Sequence, residues 1–369
     1  MDIALRILVF LFGLFLVIST FSSALSTFVV PRSVRSRLNR LVFVVLRHIF
    51  QFRMNRMRDY ESQDALMAYY APLGLVSLVP TWYVLVAIGY SCMYWALGVG
   101  DWLTVFRLSG SSLLTLGFAA SEDFLITIFI FSEATVGLTL VALLIAYLPT
   151  MYAAFSRREQ AVNLLEIRAG SPPSPVEMIL RFNRIHGLDR LNDFWVNWEA
   201  WFADVEESHT VLPALVFFRS PRPYHSWVTA GGAVLDAAAL TVSAVDIPKS
   251  PAAQLAIRAG YIALRQIVDY YEIPYPKQPS YPTDPISVSR EEFEQALDQL
   301  AAGNVPLKAD RDQAWQDYAG WRVNYDVVLL AICSLTMAPI APWSSDRAPR
   351  FRLPPLIVST KRRVHQRIP

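Results

Sequence analysis

Glu133 is the residue of this sequence with the most evident capacity for chemistry, because it is the one charged side chain in a long apolar stretch. A carboxylate at membrane depth is costly to bury and therefore marks a functional site by default. The alternative is a neutral, protonated glutamic acid that packs between helices. Arg107 is a conceivable charge partner for Glu133, and the hydroxyl groups of Ser111, Ser112 or Thr115 could donate hydrogen bonds to it.

Other residues able to catalyse reactions or bind metals are scattered along the chain. His186, His209 and His225 do not cluster, and neither a metal-site spacing nor a phosphate-binding glycine loop occurs. Cys92 and Cys333 fall in different regions, which is typical of reduced thiols rather than of a disulfide framework. The sequence therefore predicts no enzyme, cofactor or metal, although an enzyme anchored in a membrane stays an alternative.

Apolar residues that could position Glu133 are concentrated before residue 156. The chain has 369 residues, is 54% apolar and carries a net charge of only +2, which predicts no nucleic-acid partner. Residues 3–30, 65–100 and 124–148 are stretches long enough to cross a bilayer, which takes about 20 apolar residues. For the first stretch the alternative is a cleaved signal peptide, although the stretch exceeds a usual signal core.

Arginines beside the three stretches predict how the chain crosses the bilayer. They are Arg32, Arg35, Arg37, Arg40, Arg47, Arg53, Arg56, Arg58, Arg157 and Arg158. Because basic residues favour the cytoplasmic side, we expect a multi-pass protein of the cell membrane with its N-terminus outside and its C-terminal domain in the cytoplasm. Residues 32–64 mix arginines with apolar residues at helical spacing, which predicts a basic helix at the membrane surface. The alternative is an ordinary linker helix exposed to solvent.

Residues 101–120, between the second and third stretches, carry a characteristic motif. Asp101 can cap a short amphipathic helix, and the segment Thr115, Leu116, Gly117, Phe118, Ala119 follows it. The order of span, short helix, Thr-x-Gly-aromatic and span resembles the pore module of tetrameric potassium channels. This resemblance implies an all-α fold with a re-entrant pore loop, a homotetramer in the lipid bilayer, and monovalent cations, potassium among them, as the transported species.

The same resemblance assigns roles within the loop. It implies an ion-selectivity filter made of Thr115, Leu116, Gly117, Phe118 and Ala119, whose backbone carbonyls would replace the hydration shell of an ion. Non-helical backbone is tolerated at membrane depth where it lines a water-filled path or is buried in protein. The family's last filter glycine is Ala119 here and the acidic residue after it is Ala120. These departures leave selectivity open and favour, as an alternative, a non-conducting sensor or scaffold that has kept the pore fold. A further alternative for this segment is an extracellular loop between two ordinary helices.

Two residues of the third stretch would line or gate the pore. Glu133 could contribute to a ring of four carboxylates or brace the filter from behind. Gly137 lies near the position where the inner helix of the family has a hinge glycine. For Gly137 the alternative is a small residue that permits close packing of helices.

The rest of the chain predicts a helical cytoplasmic domain over residues 157–345. Helix starts are indicated by Ser174 with Pro175, by Ser250 with Pro251 and by Ser289 with Glu292. Residues 327–342 are apolar but short, which favours a buried core helix over a span.

The predicted division is a transmembrane helix (1–31), a basic interfacial helix (32–64), a pore module (65–156), the cytoplasmic domain (157–345) and a basic tail (346–369) that is disordered or lies on anionic lipid. Residues 147–159, 168–174, 315–325 and 341–346 resemble stretches of bacterial membrane proteins with a channel-like pore and a long cytoplasmic tail. This second resemblance supports the architecture more than an activity.

Overall fold

The computed structural model describes residues 3–28, 37–57, 59–248 and 250–348. These residues form α-helices and short 3-10 helices and contain no β-strand, which confirms the all-α prediction. The helices are α1 (Ile3–Phe28), α2 (Arg37–Met54), α3 (Tyr60–Ala68), α4 (Tyr70–Ala96), α5 (Trp102–Leu113), α6 (Phe124–Ala169), α7 (Pro175–Arg184), α8 (Leu191–Val211), α9 (Trp227–Ala244), α10 (Pro251–Tyr270), α11 (Arg290–Ala302), α12 (Arg311–Arg322) and α13 (Asp326–Thr336).

Four helical segments among the described residues are long and apolar enough to cross a membrane. They are α1, α3 with α4, α6 and α9. The first three coincide with the predicted stretches, whereas α9 was not predicted as a span. In α9, 94% of the most apolar window is buried inside the protein, so this helix forms part of a core.

Helix α6 is longer than the stretch of residues 124–148 predicted from hydropathy. It has 46 residues and continues through Pro149 to Ala169. A proline inside a helix removes one backbone hydrogen bond, but the other bonds of a long helix can carry it through. The helix therefore extends well beyond the apolar segment.

The described residues divide into two compact units. The first comprises residues 3–28, 37–53 and 69–152, and the second comprises residues 54–57, 59–68, 153–248 and 250–348. Helix α6 contributes to both units. The predicted tail lies outside the described residues from residue 349 onward, as do residues 29–36 and Arg58 of the predicted basic region.

In the first unit, α1 packs along α4 through a pair of glycines. A β-carbon on Gly13 would lie 2.4 Å from the carbonyl oxygen of Gly89, and a β-carbon on Gly89 would lie 2.9 Å from that of Gly13. Both distances are too short for a side chain. Such crossings of small residues are typical of helices that pack inside a membrane.

Helix α2 is amphipathic and rests on the start of α4. The rings of Phe43 and Phe50 lie 6.0 and 5.8 Å from the ring of Tyr70. The opposite face of α2 exposes Leu41, Val45, Ile49 and Phe52. The predicted basic region thus contains two helices, α2 and α3, of which α3 belongs to the second unit.

The second unit is built around the alanine-rich helix α9, which packs against α7, α10, α12 and α13. The predicted helix starts are confirmed, because α7 begins at Pro175, α10 at Pro251 and α11 at Arg290. The capping box of Ser289 and Glu292 is formed. Helix α13 is the predicted buried core helix, and its buried residues face the same core.

A buried ion pair fastens α9 to its neighbours. Arg322 donates to both carboxylate oxygens of Asp236 at 2.6 Å and to Asp326 at 2.7 Å. The hydroxyls of Tyr325 and Tyr318 also donate to Asp236, at 2.8 and 3.3 Å. Burial raises the pKa of both tyrosines well above their usual range. The hydrogen bonds satisfy the buried charges, as the low-dielectric interior requires.

Candidate functional site

Helix α5 leads into the non-helical segment that the motif singled out. The carboxylate of Asp101 accepts a hydrogen bond from the backbone N–H of Thr104 at 3.0 Å, so the predicted cap is formed. The face of α5 that carries Val105, Leu108 and Ser109 is buried. The helix ends at Leu113, ahead of the loop of residues 115–119.

Ser111 folds this loop back onto the end of α5. Its carbonyl accepts hydrogen bonds from the backbone N–H groups of Leu116 at 2.8 Å and Gly117 at 3.4 Å. Its hydroxyl accepts from the N–H of Ala119 at 2.9 Å and lies 3.3 Å from the carbonyl of the same residue. Ser111, Ser112 and Thr115 were the suggested donors to Glu133, and that suggestion was wrong. The hydroxyl of Ser111 is used within the loop, that of Ser112 donates to the carbonyl of Leu108 at 2.9 Å, and that of Thr115 donates to the carbonyl of Leu114 at 2.8 Å.

The loop needs two residues in the left-handed region of backbone space. Gly117 has φ of 72°, which glycine adopts without steric cost, and Thr115 has φ of 53°. For a side-chain-bearing residue such as Thr115 this conformation costs about 1–2 kcal/mol. Ala119, which replaces the last filter glycine of the family, is not among the described residues with positive φ, so an alanine is not strained there in this way.

Most of the loop is exposed in a single copy of the chain. Leu116 and Phe118 are 60% and 59% exposed, and Thr115 and Gly117 are also exposed. The guanidinium of Arg107 lies 6.0 Å from the centre of the Phe118 ring, at the limit of a cation–π contact. Arg107 thus lies beside the loop rather than beside Glu133, contrary to the expectation from the sequence.

Glu133 is fully buried where α4, α5 and α6 meet. The hydroxyl of Tyr94 donates to one carboxyl oxygen at 2.9 Å, and the hydroxyl of Ser109 lies 2.5 Å from the other. Ser109 is also 3.2 Å from the carbonyl of Ala87. A serine hydroxyl has one proton and can donate to one of these acceptors. Both contacts are hydrogen bonds if Glu133 carries a proton and donates it to Ser109.

Gly137 brings α6 against the end of α5. A β-carbon at this position would lie 2.3 Å from the carbonyl oxygen of Leu113. The hydroxyl of Tyr83 donates to the carbonyl of Gly137 at 2.7 Å. This geometry supports the close-packing interpretation of Gly137.

A stripe of small residues, named here the small face, lies on the side of α6 that points away from Glu133, beside the exposed side chains of Phe131 and Leu138. Thr135, Ala142 and Ala146 are exposed and Thr139 is partly exposed, at intervals of three and four residues that keep them on one side of a helix. The hydroxyl of Thr135 donates to the carbonyl of Phe131, and that of Thr139 to the carbonyl of Thr135, each at 2.8 Å. The threonines thus leave a hydroxyl oxygen as an acceptor on this face.

The partners of Glu133 were missed in the sequence. Tyr94, like Trp82 on the same helix, is fully buried. The spacing of Tyr83, Tyr90 and Tyr94 places them on one helical face and is the signal that could have identified them. Tyr90 contacts the hydroxyl of Ser132 at 2.9 Å on the same side of α6.

Within the described residues, no group of three or more His, Cys, Asp or Glu side chains could hold a metal ion. His209 and His225 belong to separate local contacts: His209 lies against Arg158, and His225 is 3.5 Å from Glu166. Comparison with known protein families, curated proteins and solved structures finds no match.

Proposed function

We propose that this chain is the subunit of a homotetrameric cation channel of the cell membrane, with residues 115–119 as the narrow part of the ion path. The observation that carries the proposal is the exposed, non-helical loop between two apolar helices, held to α5 by Ser111. In a bilayer, such backbone has to line water or be covered by protein. Four copies around an axis meet both requirements, because each copy covers the loop of its neighbour.

The packing behind the loop supports a fixed geometry. Glu133 ties α6 to α4 and α5 by hydrogen bonds, and Gly137 sets the distance between α6 and the end of α5. An ion path made of carbonyl oxygens requires such support, because its selectivity depends on where the oxygens are held. In this proposal Glu133 braces the loop from behind, and its side chain does not line the path.

Charge favours cations over anions. Asp101, Glu122 and Asp123 are exposed in or beside the re-entrant segment, against one exposed arginine, Arg107. Negative charge at the mouth of a narrow path raises the local concentration of cations. The small face of α6 with Thr135 and Thr139 would line the path beyond the loop and offer hydroxyl oxygens to a hydrated ion.

The remaining elements are assigned accordingly. Helices α1, α4 and α6 cross the bilayer, the N-terminus lies outside, and the second unit lies in the cytoplasm. Monovalent cations, with potassium as the first probe, are the transported species, and the chain has no catalytic role.

One observation favours a non-conducting sensor or scaffold of the same fold. The guanidinium of Arg107 lies 6.0 Å from the Phe118 ring, so a tetramer would hold four positive charges close to the loop. These charges oppose the approach of a cation. A channel and a non-conducting sensor or scaffold of this fold would both be tetramers, and only the channel would pass ions.

Flux through proteoliposomes tests the proposal. Uptake of potassium, sodium and an impermeant organic cation is compared for the wild type and Gly117→Asp, which adds a charge and a side chain to the loop. Gly320→Asp controls for the added charge, because a β-carbon on Gly320 in α12 would also have no atom within 4 Å, and Gly320 is remote in sequence from the loop. Gly117→Ala, which strains the positive φ of Gly117 without adding a charge, controls for the backbone. We expect potassium flux that Gly117→Asp abolishes and Gly320→Asp retains. A folded wild-type tetramer without flux would favour the sensor or scaffold.

A further inference from the structure

We infer that residues 213–219, named here the connector, hold two parts of the chain together: α3, which precedes α4, and the part of α6 that lies in the second unit. Through this link the second unit regulates the proposed pore. The regulation rests on the proposed function, whereas the contacts that form the link do not depend on it.

Arg158 attaches α6 to the connector. Its side chain is fully buried and donates to the carbonyls of Leu215 at 3.0 Å and Phe218 at 2.7 Å. Glu159 accepts two further hydrogen bonds from the same guanidinium, at 2.9 and 2.8 Å, and balances its charge. A planar guanidinium with several donors can hold such a set of acceptors in one geometry.

Arg219 attaches α3 to the end of the connector. Its guanidinium pairs with Asp64, and both side chains are largely buried. It also donates to the carbonyls of Thr336 at 2.9 Å and Met337 at 3.1 Å, at the end of α13. Tyr60 of α3 reaches the carbonyl of Met337 at 3.4 Å. Helix α3 is thus fixed to the core of the second unit.

The connector itself is held by side chains on several helices. Tyr271 donates to the carbonyl of Pro213 at 2.7 Å, and the indole N–H of Trp227 donates to that of Val216 at 3.3 Å. With the bonds from Arg158, four connector carbonyls are bound by side chains in or next to α6, α9 and α10. Displacing the connector would break these bonds together, because buried carbonyls need partners.

The chain joins the two helices held at the connector directly to the helices of the proposed pore module. A single residue, Tyr69, separates α3 from α4, and α6 continues without a break from the candidate span into the second unit. A rearrangement of the second unit that moves the connector therefore acts on both helices of the proposed pore module. Rigid elements that share an attachment in this way can carry coupling between sites.

Hydrogen exchange and flux of the full-length protein in lipid test this inference. Arg219→Gln and Asp64→Asn each remove one partner of the buried pair, and the double variant removes both. Arg219→Lys keeps the charge and provides a milder change if Arg219→Gln does not fold. Arg222→Gln is the matched control, because Arg222 forms an ion pair with Glu166 at 3.0 Å with its side chain 66% exposed.

We expect the amides of α3 to exchange about tenfold faster or more in Asp64→Asn and Arg219→Gln, because breaking a buried pair leaves an uncompensated charge. We also expect both single variants to change flux in the same direction. The double variant should change flux by no more than the stronger of the two single variants does. Arg222→Gln should leave exchange and flux as in the wild type.

Unchanged exchange of α3 in these variants would overturn the link itself. Faster exchange with unaltered flux in a conducting protein would overturn the regulatory role alone. Absence of flux in a folded wild type would overturn the regulatory role together with the proposed function, and the exchange result would still decide whether the link exists.

Discussion

Gly137 and Leu113 bring two helices into contact through their backbones, because a β-carbon on Gly137 would lie 2.3 Å from the Leu113 carbonyl oxygen. Leu113 is the last residue of α5, and the loop of residues 115–119 follows it. The position of this loop relative to α6 therefore depends on the absence of a side chain at residue 137.

We predict that Gly137→Ala displaces the end of α5 and lowers stability by about 1–3 kcal/mol, the usual cost of overpacking. Thermal unfolding in detergent and the flux assay would both report the change. Gly110→Ala is the control, because a β-carbon on Gly110 in α5 would have no neighbouring atom within 4 Å. It should be neutral or slightly stabilising, since alanine favours a helix. Equal behaviour of the two variants would contradict the role given to Gly137.

Substitutions of Glu133 can distinguish whether its side chain is a neutral carboxylic acid or a charged carboxylate in the folded protein. Glu133→Gln can accept a hydrogen bond from Tyr94 and donate one to Ser109, so its stability should lie within about 1 kcal/mol of the wild type. Glu133→Leu removes the acceptor of the Tyr94 hydroxyl, which should cost about 1–3 kcal/mol. Thermal unfolding in detergent measures both effects.

The double variant Glu133→Leu with Tyr94→Phe is the control for this interpretation. It removes the donor as well as the acceptor, so part of the lost stability should return. A large loss in Glu133→Gln, comparable to that in Glu133→Leu, would show that the negative charge of Glu133 matters for the fold.

The contact between α1 and α4 gives a third prediction. Gly13→Leu should separate the two helices, because the space at Gly13 is filled by the carbonyl of Gly89. We expect a lower melting temperature in detergent and faster proteolysis of α1. Leu8→Ala on the same helix is the matched control, since Leu8 is exposed. If Gly13→Leu melts like the wild type, the two helices do not pack through these glycines.

The buried side chain of His209 should make the stability of the second unit depend on pH. Its Nδ1 lies 3.0 Å from the carbonyl of Val205 and its Nε2 lies 3.2 Å from Arg158, so the ring is neutral, with its proton on Nδ1. Burial, and then the charge of Arg158, lower the pKa of His209 well below its ordinary value of 6.5. The unfolded chain binds a proton as the pH falls through about 6.5, whereas the folded chain resists it.

Stability should therefore fall below pH ~6.5 by up to about 1.4 kcal/mol per pH unit, down to the lower pKa of the folded state. His209→Gln, whose amide oxygen can accept from Arg158, should flatten this dependence between about pH 6.5 and 5. Unfolding followed at several pH values measures the difference between wild type and variant. Parallel curves would rule out His209 as the source of any acid sensitivity.

Local patterns in the sequence were sufficient for much of the fold. Apolar length located α1, α4 and the first half of α6, and capping residues located the starts of α7, α10 and α11. These features depend on neighbouring residues. The continuation of α6 through Pro149 could not be predicted in this way, because a proline signals an end and packing decides whether the helix continues.

The candidate site was predicted less completely than the fold. Glu133 and Gly137 were singled out, but the hydrogen bonds of Glu133 join residues 39 and 24 positions apart. Ser109 and Ser111 both belong to one run of hydroxyl residues, and the sequence does not specify which of them turns toward α6. That choice follows from the rotation of α5 about its axis, which is set by tertiary packing.

Asp236 bears on how the protein is synthesised. Helix α9 is apolar and long enough to cross a membrane by length and composition. Arg322, which pairs with the carboxylate of Asp236, lies 86 residues further along the chain and is made later. Until then the unpaired charge opposes insertion by about 3 kcal/mol. We therefore expect the same aspartate that anchors the core to disfavour insertion of α9 into the bilayer during translation.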